Sequence, residues 1–266
     1  MIKLIASDLD GTLLTDKLTI PEDFFEVLHK LKERGIIMAA ASGRDFAGAA
    51  QFFGDEANEL MYICDNGANI YQNGKLVQTH NLNRENIITA LKVVDKIPNA
   101  DPILCGTKGT YVAKKGTPVF INKMKNHYSP VIWVDDLHNI KDDIFKLSIY
   151  DVTGDIRTHS FNPVANALNN NTTIHISSNS WVDIMSKTAD KGVALRQVQQ
   201  QFGISYDETM AFGDFYNDEP LLKQAKYAFV MENGMKELKD KYPFLAKSNN
   251  DFGVTHAIRK WVIEQK

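Results

Sequence analysis

Cysteine is scarce in this chain. Its only two, Cys64 and Cys105, lie far apart, and neither has a His or Cys neighbour at metal-ligand spacing. That excludes a disulfide framework and points to buried thiols in a reducing compartment. Charge of one sign is scarce as well: 30 basic against 33 acidic residues leave a net charge of −3. So small an excess excludes a general binder of nucleic acid or of membrane surfaces. No apolar run approaches the length of a membrane span. His80, His138, His159 and His256 have no spacing that would assemble a zinc site. There is no internal repeat, and Asn169-Asn170-Asn171 reads as a polar turn rather than a low-complexity segment. An apolar strand starting at Ile2 leaves no room for a leader peptide, so a cytoplasmic location is expected.

What is present is ordinary globular composition, 44% hydrophobic and 24% charged, at a length suited to two domains of moderate size. Both ends of the chain alternate strands with helices. Near the start, a strand from Ile2 runs to Asp8. A helix opening at Pro21 carries Phe24, Phe25, Val27, Leu28 and Leu31 at helical spacing, and a small-residue strand at 36–41 and an apolar strand at 61–64 follow. Asn73-Gly74 between short apolar runs predicts a type I′ hairpin. From Lys187 onward the rhythm returns, with a helix over 191–202 and strands over 210–212 and 227–230. Between them, residues 83–185 mix helical stretches (84–97, 118–125, 156–168) with short strands, as an α+β segment with its own sheet would. The expected architecture is α/β. One parallel-sheet domain is built from residues 1–82 plus 186–266, and a second domain, 83–185, is inserted.

Four signals stand at expected strand ends or helix starts. They are Asp8-Leu9-Asp10-Gly11-Thr12, Ser42-Gly43-Arg44, Lys191-Gly192, and Gly213-Asp214-Phe215-Tyr216-Asn217-Asp218. A buried strand favours Val, Ile and Leu, and an unpaired buried carboxylate is costly, so Asp8 and Asp10 are hard to explain as packing. Strand alternation sends Leu9 into the core and lets both carboxylates emerge on one side. In a parallel sheet such ends share one edge, where ligands bind. Together the four supply carboxylates, a hydroxyl, backbone amides and an ammonium. That inventory suits a hard cation, most simply Mg²⁺, beside a phosphate.

Roles follow from chemistry. Asp8 is the expected nucleophile, forming an aspartyl phosphate. Asp10 is the expected general acid and base. Asp8, Asp10 and Asp214 are the expected metal ligands, with the Asp10 main-chain carbonyl also within reach, and Asp218 is either a further ligand or a support. Lys191 balances charge. The Leu9 amide, Thr12, Ser42, the Gly43 amide and Asn217 complete a phosphate cradle.

These residues, in this order, resemble the four motifs of the haloacid dehalogenase superfamily, and most closely its Cof-type branch, subfamily IIB. Asn66-Gly67-Ala68 before a hairpin and Phe252-Gly253-Val254 near the end are similar to that branch too. The resemblance implies a Rossmann-like core and a C2B-type α/β cap as the insert. It also implies a Mg²⁺-dependent phosphatase of small phosphorylated metabolites, often sugar phosphates. Arg44 and Asn66 would then lie near the substrate. The partner is a small phosphate ester; neither nucleic acid nor membrane is expected, and the oligomeric state is not legible. Phe215-Tyr216 departs from the usual glycine after Gly-Asp and bears on substrate size. A phosphomutase or phosphotransferase on the same chemistry, and a non-catalytic metabolite-binding protein on this fold, are the alternatives.

Overall fold

A computed structural model describes residues 1–127 and 131–264. Two compact units are resolved, one made of residues 1–79 and 189–266 and the other of residues 80–188. The boundaries fall a few residues inside those expected from the sequence.

In chain order, the first unit begins with β1 (Leu4–Asp8), β2 (Ile37–Ala41), β3 (Met61–Cys64), β4 (Asn69–Gln72) and β5 (Lys75–Thr79). The second contains β6 (Ala100–Gly106), β7 (Gly109–Ala113), β8 (Val131–Val134), β9 (Ile144–Asp151), β10 (Thr172–Ser178) and β11 (Trp181–Ser186). The chain then returns to the first with β12 (Thr209–Gly213), β13 (Tyr227–Met231) and β14 (Phe244–Ala246).

The first unit holds one sheet, ordered β14-β13-β12-β1-β2-β3-β4-β5. Its strands are parallel from β14 to β3, and β4 and β5 add an antiparallel hairpin. Both faces of this sheet are covered, which is why β1 reads as a continuous buried run. Ile5 joins a core that includes Phe24, Leu28, Phe53 and Tyr62, and Leu4 and Ala6 join one that includes Leu195, Val198 and Leu222. The helix Phe24–Glu33 buries Phe24, Val27, Leu28 and Leu31, the i, i+3, i+4, i+7 stripe of an amphipathic helix. It starts three residues after the expected Pro21, because Pro21 accepts the Phe24 amide in a turn that precedes the helix. The hairpin is as read: Asn73 and Gly74 have φ of 51° and 71°, both left-handed.

The second unit has a sheet ordered β10-β11-β9-β6-β7-β8, antiparallel apart from β7 with β8. Leu104, Leu147, Ile149, Val182 and Ile184 form a core with Ile87, Ala90, Leu91 and Val94 of the helix Arg84–Val94. The expected helix over 156–168 is in fact two segments. A π-helical turn, Arg157–Phe161, runs into the α-helix Asn162–Ala167, with Pro163 in its first turn. Proline has no amide to give to the preceding turn, and the widened turn stands where that bond is missing. Strand β14 is only three residues long and carried no readable alternation.

Candidate active site

The four sequence signals converge at the C-terminal edge of the parallel strands. Asp8 ends β1, Ser42 follows β2, the turn Asp65–Gly67 follows β3, and Asp214 follows β12. Lys191 opens the helix Lys191–Phe202, whose first turn is capped by the Asp190 carboxylate accepting from the Val193 amide at 2.7 Å. The right-handed βα rhythm brings these ends together although they are far apart in sequence.

At the centre lies a buried ion cluster. Lys191 is 1% exposed, and its Nζ donates to Asp8 Oδ1 and to Asp218 Oδ1, both at 2.6 Å. Carboxylate oxygens of Asp8, Asp214 and Asp218 lie within 4.8 Å of one another. Asp218 is fully committed. Its other oxygen, Oδ2, accepts the amides of Asp214 and Phe215 at 3.0 and 3.1 Å, so it holds the loop as well as the lysine. Thr12 Oγ1 donates to Asp214 Oδ1 at 2.9 Å. Gly11 must be glycine: its φ is +81°, and a Cβ there would stand 2.6 Å from Asp214 Oδ2.

Electrostatics in this cluster run against the charged forms of Asp8 and Asp214. Burial, then the charge of Asp218, pushes Asp8 up to about 8 in spite of Lys191. Burial likewise raises Asp214, against the Thr12 bond. Burial works against the Lys191 ammonium, but Asp8 and Asp218 more than offset it and its pKa is raised. Three carboxylates therefore face one ammonium. A divalent cation would restore the balance, and an all-oxygen donor set suits a hard one. Asp8 and Asp214 are the side chains that fit as ligands, since Asp218 already spends both oxygens inside the protein.

The remaining expected residues divide. Ser42 is buried and its Oγ accepts the Arg44 amide at 3.1 Å. Leu9 packs in the core. A Cβ at Gly43 would stand 3.2 Å from Asn66 Oδ1, and Asn217 Nδ2 donates to that oxygen at 3.1 Å. Two positions differ from the sequence reading. The Asp10 carboxylate is outside the cluster: it is half exposed and gripped by Arg44, with Nε to Oδ2 at 2.8 Å and Nη2 to Oδ1 at 2.6 Å. Strand β1 stops at Asp8, so the alternation that would align Asp10 with Asp8 stops with it. The Thr12 hydroxyl is spent on Asp214 and orients that carboxylate instead of facing a phosphate.

The structure also adds residues that the sequence reading missed. Asn233 Nδ2 donates to the Gly11 carbonyl at 2.8 Å, and buried Asn249 donates to the Leu14 carbonyl at 2.9 Å. Both pin the loop after β1. The only sequence signal for the first was that Asn233-Gly234 stands where the family resemblance has a late Asn-Ala segment, and the second had none. Among the described residues, no helix is long and apolar enough to cross a membrane.

Comparison with known proteins finds relatives along nearly the whole chain. YbjI of Escherichia coli K12, a 5-amino-6-(5-phospho-D-ribitylamino)uracil phosphatase, is 30% identical over 260 residues, covering 97% of this chain and 96% of that protein. SMU.1108c of Streptococcus mutans UA159 superposes with a TM-score of 0.82 at 28% identity, covering 99% of this chain and 100% of the other. The HAD subclass IIB sugar phosphatase BT4131 shares the fold at a TM-score of 0.78 and 20% identity, over 98% and 99% of the two chains. A profile of haloacid dehalogenase-like hydrolases matches residues 5–258. With that match across nearly its whole length, and with the buried Asp8–Lys191–Asp218 cluster at its sheet edge, the chain belongs to the haloacid dehalogenase-like hydrolases.

Proposed function

We propose that the chain is a Mg²⁺-dependent phosphatase of small phosphorylated metabolites, sugar or polyol phosphates in particular, working through an aspartyl phosphate on Asp8. The observation that carries this reading is the buried Lys191 held at 2.6 Å from both Asp8 and Asp218, with Asp214 alongside. The substrate class is supported by the phosphorylated ribityl compound named for the Escherichia coli relative and by the sugar phosphatase named among the structural neighbours.

Asp8 presents Oδ2 for attack on phosphorus while Lys191 holds Oδ1. Asp8, Asp214 and the Asp10 carbonyl would hold the cation, which would supply neutralisation of phosphoryl charge beside the attacking carboxylate. The proton to the leaving oxygen comes from Asp10, which then takes one from the hydrolytic water. Arg44 must release the Asp10 carboxylate for that transfer, because both of its oxygens are in the ion pair. Ser42, the Gly43 amide and Asn217 hold the phosphoryl oxygens. The unit 80–188 serves as the cap that selects substrates. Two buried cysteines support a reducing, cytoplasmic setting.

The test is a screen of sugar, polyol, nucleotide and cofactor phosphates with and without Mg²⁺, ranked by kcat/KM. Cation-dependent release of phosphate from sugar or polyol phosphates is expected, with no isomerised product. Absence of hydrolysis at saturating Mg²⁺ would overturn the assignment, and accumulation of an isomeric phosphate would move it to a mutase.

A further inference from the structure

The turn after β3 is strained, and it touches the other loops of the site. Asp65, Asn66 and Gly67 have φ of 51°, 54° and 99° in succession. Non-glycine residues enter the left-handed region singly, and two in a row persist only where their surroundings impose it. Here the surroundings are the site's own segments. The Asp65 amide donates to the Arg44 carbonyl at 2.8 Å, and the Asn66 amide donates to the Ser42 carbonyl at 3.0 Å. Asn66 Oδ1 accepts from Asn217 at 3.1 Å. Gly67 presses on the lysine segment: a Cβ there would stand 2.2 Å from the Asp190 carbonyl carbon and oxygen and 2.7 Å from the Lys191 nitrogen. Asp65 itself is buried, and its Oδ2 accepts from Asn69 Nδ2 at 3.0 Å.

We propose that Asp65-Asn66-Gly67 is a positioning element for phosphoryl transfer. It spaces the Ser42–Arg44 loop, Lys191 and Asn217 against one another, and so sets the aim of Lys191 on Asp8. The three segments arise after β2, before the helix Lys191–Phe202 and after β12, and the turn meets each of them through backbone or a short side chain. Backbone contacts of this kind transmit position with little slack. A side chain at Gly67 would force the lysine segment away, so the close approach is part of the device. For its kinetic readout the proposal rests on the phosphatase reading; for its structural readout it does not.

Two variants test it. Asn66→Gly relaxes the backbone and deletes the amide that holds Asn217. The protein is expected to fold with a melting temperature no lower than the parent's, while kcat for an aryl phosphate falls about tenfold and KM changes less than kcat. Combined with Asn217→Ala, it is expected to lose little more than Asn217→Ala alone, since that variant already removes both the Asn66 contact and a phosphoryl-oxygen donor. Gly67→Ala is expected to lower kcat about a hundredfold, and its crystal structure to show Lys191 Nζ beyond hydrogen-bond distance of Asp8. Parental kcat in Asn66→Gly, or losses that simply add in the double variant, would overturn the proposal. Should Gly67→Ala fail to fold, Asn66→Gly and the double variant still decide. Should the parent hydrolyse no phosphomonoester, the phosphatase reading alone fails. Crystal structures then judge the turn, and Lys191 and Asn217 unmoved in both variants would refute it.

Discussion

The two units bury carboxylates in opposite ways. In the unit 80–188, Asp151 is fully buried at the end of β9, and its own neighbours satisfy it. The Thr153 amide and hydroxyl donate at 2.9 and 2.6 Å, and His159 Nδ1 lies at 2.8 Å. Burial works against its charge, but these bonds more than offset it and hold its pKa below the ordinary carboxylate range. In the other unit, Asp8 ends β1 in similar burial, yet it faces two more carboxylates and a single ammonium, and its pKa rises to about 8. A buried acid satisfied by its own hydrogen-bond donors is a structural part. One crowded by like charge is incomplete without a ligand, and that marks a functional site.

Substitutions can break the contrast. The largest effect is expected from Asp8→Asn: turnover of an aryl phosphate falls by at least about 10⁴-fold, while the cation-free protein melts no lower than the parent, because a like charge has been removed. A melting temperature several degrees lower would show that Asp8 is structural after all. Next comes Lys191→Met, which leaves Asp8 and Asp218 buried without their cation and should cost about 3–5 kcal/mol in urea unfolding, as well as activity. Asp151→Asn should cost less, about 1–3 kcal/mol, and leave kcat per folded molecule unchanged, since its donors serve the fold alone.

The pH dependence of urea midpoints, measured in chelator, is the subtlest test. Folded Asp8 keeps its proton where the unfolded chain has lost it. Its contribution to stability is complete below the ordinary value of 3.8 and is lost as pH rises through about 8. Asp151, with its pKa lowered, contributes the reverse: stability complete above 3.8 and lost as pH falls through its folded value. Asp8→Asn should therefore flatten the decline between about pH 4 and 8, and Asp151→Asn the decline on the acid side. Identical curves for both variants and the parent would remove the distinction between the two sites.

Much of this was legible because residue types were out of place. An acid at the end of an apolar strand, a Gly-Asp after another and an Asn-Gly between short apolar runs each contradict simple packing. The helix over 191–202 and the inserted α+β segment followed from periodicity. The Asp10 carboxylate, by contrast, was expected to emerge beside that of Asp8, and the structure pairs it with Arg44 instead. That pairing turns on where β1 ends and on which rotamer Arg44 adopts, and neither is a property of spacing. The Thr12–Asp214 bond joins residues 202 positions apart, beyond any local pattern. The split of the helix over 156–168 shows the same limit at short range: Pro163 was visible, but the widened turn it leaves behind depends on the packing around it.

By itself, then, the sequence determined the chemistry on offer: the strand-end carboxylates, the ammonium, the acidic loop and the alternating elements that put them at strand ends. Local pattern suffices for that, because period and residue type are local. Tertiary structure alone decided who pairs with whom. Asp218 on Lys191, Arg44 on Asp10, Thr12 on Asp214 and the strained Asp65-Asn66-Gly67 turn against Lys191 all join segments that the chain separates. Charges packed at 2.6 Å acquire their energies from that closeness, and only the folded sheet edge creates it.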